Sequence, residues 1–386
     1  MTVTTSIVYN VGSRHERTGE TGLAHMLEHM LFKPTSGTGV KWKDLENKGA
    51  HLNATTWLDR TLYYFTLPRE YLGDMLHVEA DRMRNTLFTD KEFAPERTNV
   101  LSEYEIQNST PEEVLAWHII GAAFENHGYH HDTIGFRHDI ENYSVNDLKS
   151  FYDRHYWPNN ATLIVAGDIP ERTLSEVVIG AFKDLPSHEV DTSTTRIEAP
   201  QEGVRRATLV RNTPLRAYTI TWKAPAFTHP DWAPLMLALN YLSDGETSPL
   251  YKALIETHMA TDVGAHIYPT HDPYLAYLTI RATEKTRYET IEKTILKVLE
   301  SETRRQPTEK VLAPHRESAL AQEAKERDGS RAVALTLSEY VASGDWKRYV
   351  TFENELGAVT GADVLRVMRE YLVIDRATIG TIEHKK

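Results

Sequence analysis

The sequence contains an internal repeat. Residues 144–165, SVNDLKSFYDRHYWPNNATLIV, lie on residues 360–381, TGADVLRVMREYLVIDRATIGT, at a constant offset of 216 with no gap. Under that offset Asp147 meets Asp363, Leu148 meets Val364, Ala161 meets Ala377, Thr162 meets Thr378 and Leu163 meets Ile379. Each copy reads as a capped helix, a short turn and a strand. The copies stand at the ends of two halves of similar length, so duplication is the reading, and a duplicated chain must build two similar cores. A length of 386 residues suffices for that,. Between the halves, residues 187–203 are polar and carry no sustained apolar periodicity,. The expected division is therefore a first domain over 1–188, a linker over 189–204 and a second, similar domain over 205–386.

Within each half, strand and helix patterns mix without a regular βαβ alternation. The opening TVTTSIVYNV and the segment TLYYFTL, residues 61–67, read as strands,. Helical patterns cover 70–86, 92–107, 112–125 and 144–155. The second half gives strands near 206–223 and 274–282, with helices near 231–242, 287–302 and 308–326. This is an α+β pattern in two similar layers of sheet and helix. Hydrophobic residues at 40% and charged residues at 25% fit a soluble globular protein,. No apolar stretch is long enough to span a bilayer. Residues 1–20 lack a basic start followed by an apolar run, so a cytoplasmic location is expected, or a periplasmic one if a leader is missing from the chain.

Charge and cysteine narrow the chemistry. A formal net charge of -12 disfavours nucleic acid, whose phosphates want clustered Lys and Arg,. Cysteine is absent, which excludes disulfides and thiolate metal sites,. Any transition-metal site must use His and carboxylate.

Such a site is written in TGLAHMLEHMLFKPT, residues 21–35. Leu23, Met26, Leu27, Met30 and Leu31 form one apolar helical face, and Pro34 supplies a stop,. His25 and His29 are four apart and Glu28 is three from His25, so these three share another face. Two imidazoles at that spacing reach one Zn²⁺ at about 2.0–2.1 Å each. Zinc held by three protein ligands keeps a position for water and lowers its pKa, and a nearby carboxylate can take the proton. Glu28 is the candidate base. The third ligand must come from elsewhere. Residues 94–108, APERTNVLSEYEIQN, offer Glu96 and Glu103 on one helical face, with Glu105 pointing away. Two turns separate them by about 10.5 Å along the axis, so only one ligates and the other can orient a histidine.

With these residues assembled, the chain resembles the inverzincin peptidases, the pitrilysin and insulin-degrading-enzyme family, whose H-x-x-E-H inverts the commoner H-E-x-x-H. It looks closest to the mitochondrial-processing-peptidase branch and its bacterial relatives. The landmarks are VGSRHERTGETGLAHMLEHMLFKPT, GAHLNATTWLDRTLYYFTLP, ERTNVLSEYE and RHYWPNNATLIVAGD. In the second half only TSPLYKALIE and the final helix and strand are recognisable. The resemblance implies His25, His29 and Glu103 as ligands of one zinc per chain and Glu28 as general base. Glu96 matches the family's second acid. Asn53, with Ala54 beside it, matches a substrate-backbone contact on an edge strand, where an extended peptide can add as a further strand. The implied fold is α+β: two similar domains, each a mostly antiparallel sheet with helices packed on one face, together half of a clamshell. The implied activity is metalloendopeptidase action on peptides or unfolded segments. The alternative is a non-catalytic scaffold subunit of the same family.

Two departures shape the expectation about partners. Family members have about thirty more residues before VGSR, which leaves the first sheet without an edge strand or the start incomplete. The family's second domain also carries an Arg and a Tyr seven residues apart that hold the substrate carbonyl. Here Ile255 and Asp262 stand in those places. A heterodimer with a similar, zinc-free subunit that supplies the pair is expected, or alternatively a homodimer using other donors.

Overall fold

The computed structural model describes residues 2–37, 42–190 and 197–385. The interior of the expected linker, residues 191–196, lies outside the described residues. In the first half the strands are β1 (Thr2–Tyr9), β2 (His51–Thr56), β3 (Thr61–Pro68) and β4 (Ala161–Gly167). Its helices are α1 (Leu23–Met30), α2 (Trp42–Asn47), α3 (Leu72–Asn85), α4 (Asp90–Asn108), α5 (Pro111–Ala123), α6 (Arg137–Asn142), α7 (Val145–His155) and α8 (Glu171–Phe182). The second half adds β5 (Arg205–Arg211), β6 (Ala217–Ala224), β7 (Ala260–Ile267), β8 (Tyr274–Ala282) and β9 (Ala377–His384). With them come α9 (Trp232–Ser243), α10 (Tyr288–Glu302), α11 (Glu309–Lys325), α12 (Gly329–Ala342), α13 (Arg348–Ala358) and α14 (Gly361–Tyr371).

The repeat is visible in the local chemistry of both copies. Ser144 caps α7 and Thr360 caps α14, each in a reciprocal capping box with the aligned Asp147 or Asp363,. A single 3₁₀ turn follows each helix, and β4 and β9 then pair antiparallel with β1 and β6. The first sheet runs β2-β3-β1-β4 and is antiparallel throughout. The second runs β5-β9-β6-β8-β7, antiparallel except where β5 lies parallel to β9. This places β2 and β4 at the edges of the first sheet. Strand β5 has no counterpart there among the described residues.

The compact units are not contiguous in sequence. One comprises residues 1–106, 127–196 and 326–342, and the other 107–126, 197–325 and 343–386. Each unit takes a helix from the other half: α12 joins the first and α5 the second. These units differ from the contiguous 1–188 and 205–386 expected from the linker, because the polar linker marks where the halves meet and not where the chain crosses.

In the first unit the exchanged helix covers one face of the sheet. Val8, Leu62, Tyr64 and Ile164 bury against Ala334 and Ala342 of α12. The Ser6 and Ser338 hydroxyls meet at 2.9 Å in this contact, satisfying two buried polar groups at once,. The opposite face of β1 carries Tyr9, whose ring lies 4.4 Å from that of Tyr156. Below it the buried Arg82–Glu79 pair of α3 stacks its guanidinium 3.8 Å from the Tyr63 ring centre. In the second unit α5 lies close over β9: a Cβ on Gly380 would come within 2.4 Å of the Ile119 side chain.

Candidate metal centre

Helix α1 is held at its start by an unusual cap. Gly22 sits at φ +89°, a left-handed backbone that favours glycine, and a Cβ there would approach the Ile134 carbonyl oxygen to 2.6 Å,. The buried Glu16 carboxylate accepts the Gly22 and Ala24 N–H groups, each at 2.8 Å. It thereby serves the helix N-terminus, where orphan donors and the dipole both favour an anion. The apolar face expected from periodicity is buried: Leu23, Met26, Leu27 and Met30 have no exposure. Only the face with His25, Glu28 and His29 is left for chemistry.

Helix α4 brings Glu103 to that face. Its Oε2 lies 3.5 Å from His25 Nε2 and 3.7 Å from His29 Nε2. One ligand atom from each of these three residues falls within 4.8 Å of the others, the only such group among the described residues. Burial and the neighbouring His29 push the His25 imidazole down to about 3, so it is neutral at physiological pH with its lone pair available,. Two imidazoles and one carboxylate, converging without thiolates, fit a zinc-type cation.

The remaining acids have separate partners. Glu96 does not enter the cluster. Its Oε2 is 3.1 Å from His29 Nδ1, while Lys33 and Asn99 also donate to its carboxylate. Burial raises the Glu96 pKa, but these hydrogen bonds outweigh it and hold the carboxyl below its ordinary range. Glu105 turns away and pairs with Arg137. Glu28 is buried, and its Oε2 accepts the Thr56 hydroxyl at 2.6 Å. Burial dominates there and raises the Glu28 pKa, against the lowering effects of Thr56, His29 and Arg60. Among the described residues no group bonds Oε1.

Asn53 and Ala54 lie on β2, the sheet edge beside the cluster, with the Asn53 Oδ1 accepting the Ala54 N–H at 2.9 Å. In the second unit Ile255 ends a π-helical turn over Tyr251–Ile255, and Asp262 is exposed on β7. Sequence reasoning missed Lys33, Thr56 and Glu16. Lys33 had a usable signal, since it continues the i, i+4 ladder of His25 and His29. Thr56 and Glu16 had none, because their partners are distant in sequence or are backbone groups.

The chain is similar to known proteins over most of its length. A family model described as insulinase (peptidase family M16) matches residues 1–135, and one described as peptidase M16 inactive domain matches residues 142–318. The zinc protease PqqE of Helicobacter pylori is 27% identical over 380 residues, spanning 96% of this chain and 85% of that protein. A crystal structure of a protease from Helicobacter pylori shares 26% identity at a TM-score of 0.92, covering 99% of this chain and 94% of that one. The mitochondrial-processing peptidase subunit beta of Rattus norvegicus is 29% identical over 252 residues, or 64% of this chain and 51% of that protein.

Proposed function

Since this chain belongs to the insulinase peptidase family, M16, we propose that it is a zinc-dependent metalloendopeptidase acting on peptides or unfolded segments. The observation that carries the reading is the convergence of His25, His29 and Glu103 within 4.8 Å, with Glu28 on the same helix face. His25 and His29 through Nε2, and Glu103 through Oε2, would hold one Zn²⁺. When bound, zinc supplies a Lewis acid that polarises the scissile carbonyl and acidifies water.

The protein's own residues do the rest. Glu28 takes the proton of the attacking water at its unpaired Oε1 and returns it to the leaving amine. Its raised pKa brings that exchange nearer to neutral pH. Glu96 accepts His29 Nδ1–H, which fixes the ring's tautomer and leaves Nε2, facing Glu103, free to ligate,. Strand β2, with Asn53 and Ala54, offers its edge to an extended peptide, so affinity comes from backbone pairing with loose sequence preference.

Glu28→Gln should retain zinc at one ion per chain yet lose turnover of an unfolded peptide. Undiminished turnover would remove Glu28 from the role of base. The chain is further read as the zinc-bearing subunit of a heterodimer, or alternatively of a homodimer. Ile255 and Asp262 offer no Arg–Tyr pair, and the rat relative carries a subunit name. A purified chain that cleaves at full rate as a monomer would sink the two-chain reading.

A further inference from the structure

We infer that Thr56 is a positioning residue for Glu28, and that Glu339, contributed by the second half of the chain, sets its position through Arg60. The inference rests on Glu28 being the base. Thr56 has one hydroxyl hydrogen and two acceptors within reach: Glu28 Oε2 at 2.6 Å and Thr61 Oγ1 at 3.5 Å. The shorter bond goes to the carboxylate, which is also the stronger acceptor. That bond leaves Glu28 one oxygen for the proton and limits rotation of the other.

Thr56 is the last residue of β2, so its aim depends on the turn that follows. That turn is fixed from both sides. Trp57 N–H donates to the Arg60 carbonyl at 2.8 Å, and Asp59 accepts the Tyr129 hydroxyl at 2.6 Å and forms an ion pair with Arg14, whose Nε lies 3.0 Å away. Arg60, only 7% exposed, donates Nη1 to the Thr55 carbonyl at 3.0 Å, one residue before Thr56. Its Nε and Nη2 grip Glu339 of α12, with Nε at 3.0 and 3.2 Å from the two oxygens. A guanidinium held in such a fork cannot swing, so the Thr55 carbonyl it holds is fixed as well. The chain of contacts runs Glu339, Arg60, Thr55–Thr56, Glu28.

The test compares Thr56→Val, Thr56→Ser, Glu339→Gln, the Thr56→Val/Glu339→Gln double variant and Glu28→Gln. Zinc content, melting temperature, kcat and KM on an unfolded peptide are measured in whichever oligomer carries turnover. Thr56→Val should lower kcat by about 10–100-fold at unchanged KM and zinc content, and Thr56→Ser should restore it. Glu339→Gln, altering a partly exposed side chain, should lower kcat by about 10-fold, and the double variant should be no worse than Thr56→Val alone. Wild-type kcat in Thr56→Val overturns the inference, as does failure of Ser to rescue. Loss of zinc in Thr56→Val overturns it too, since the contact would then serve the metal site's fold. Multiplied losses in the double variant overturn the link from Glu339. Full turnover by Glu28→Gln would instead mark failure of the functional reading itself.

Discussion

Two glutamates seven residues apart on α4 occupy different chemical positions. Glu103 presents Oε2 to both imidazoles, whereas Glu96 is taken up by His29 Nδ1, Lys33 and Asn99. Glu103→Gln should therefore abolish stoichiometric zinc and turnover together. Glu96→Gln should keep the site but weaken zinc by about 10–100-fold, read by competition with a chelator. Spacing brings His25, Glu28 and His29 onto one helix face but leaves the choice between Glu96 and Glu103 open, and only the resemblance points to Glu103. Their spacing puts both on the same side, and only the placement of α4 against α1 decides which reaches Nε2. A second residue-scale case is the buried Asp231. Hydrogen bonds from Arg366, chiefly, and from Tyr371 outweigh burial and hold its carboxyl below the ordinary 3.8. A depressed native pKa means stability that is complete above the unfolded value and lost as pH falls through the native one. Asp231→Asn should cost about 1–3 kcal/mol at neutral pH. In urea titrations its deficit against the wild type should shrink as the pH is lowered below about 4.

At the scale of elements, the two halves solve the same fastening problem twice. Just before α1, Glu20 pairs with Arg154 of α7; just before α9, Asp231 pairs with Arg366 of α14. The repeated helix thus anchors the start of the equivalent helix in each half. It was the most legible part of the chain because capping boxes are local, and local chemistry can be read from neighbours in sequence. Strand β2 was not legible in this way. HLNATT alternates only Leu52 and Ala54 with polar residues, too short and weakly apolar a signal to mark a strand, so resemblance alone identified it as an edge,. If β2 does guide substrate, Asn53→Ala should raise KM several-fold with kcat little changed, the signature of lost uniform binding. A fall in kcat at constant KM would place Asn53 with the reacting atoms instead.

At the scale of the molecule, the exchanged helices bind the halves into one folding problem. The repeat suggests two autonomous copies, and nothing in the sequence of α12, GSRAVALTLSEYVA, says which sheet it will cover. Its apolar positions read as one helical face, which fixes that the helix packs on a sheet but not which one. Yet Ala334, Ser338 and Ala342 complete the first unit, and Glu339 reaches the turn beside Glu28. A fragment of residues 1–188 would leave Val8, Leu62, Tyr64 and Ile164 without their cover. At about 1.5–3 kcal/mol for each large apolar side chain, that loss is comparable to the whole stability of a domain, about 5–15 kcal/mol. The fragment carries His25, His29, Glu103 and Glu28, the proposed ligands and base, so a modular enzyme would bind zinc with it alone. The structure leads to the opposite outcome. Residues 1–188 expressed alone should show no cooperative melting and no stoichiometric zinc. Co-expression with 189–386, which returns α12, should restore both. A folded, zinc-loaded 1–188 would show that the first unit tolerates the missing helix, and the second half would then be dispensable to the metal centre.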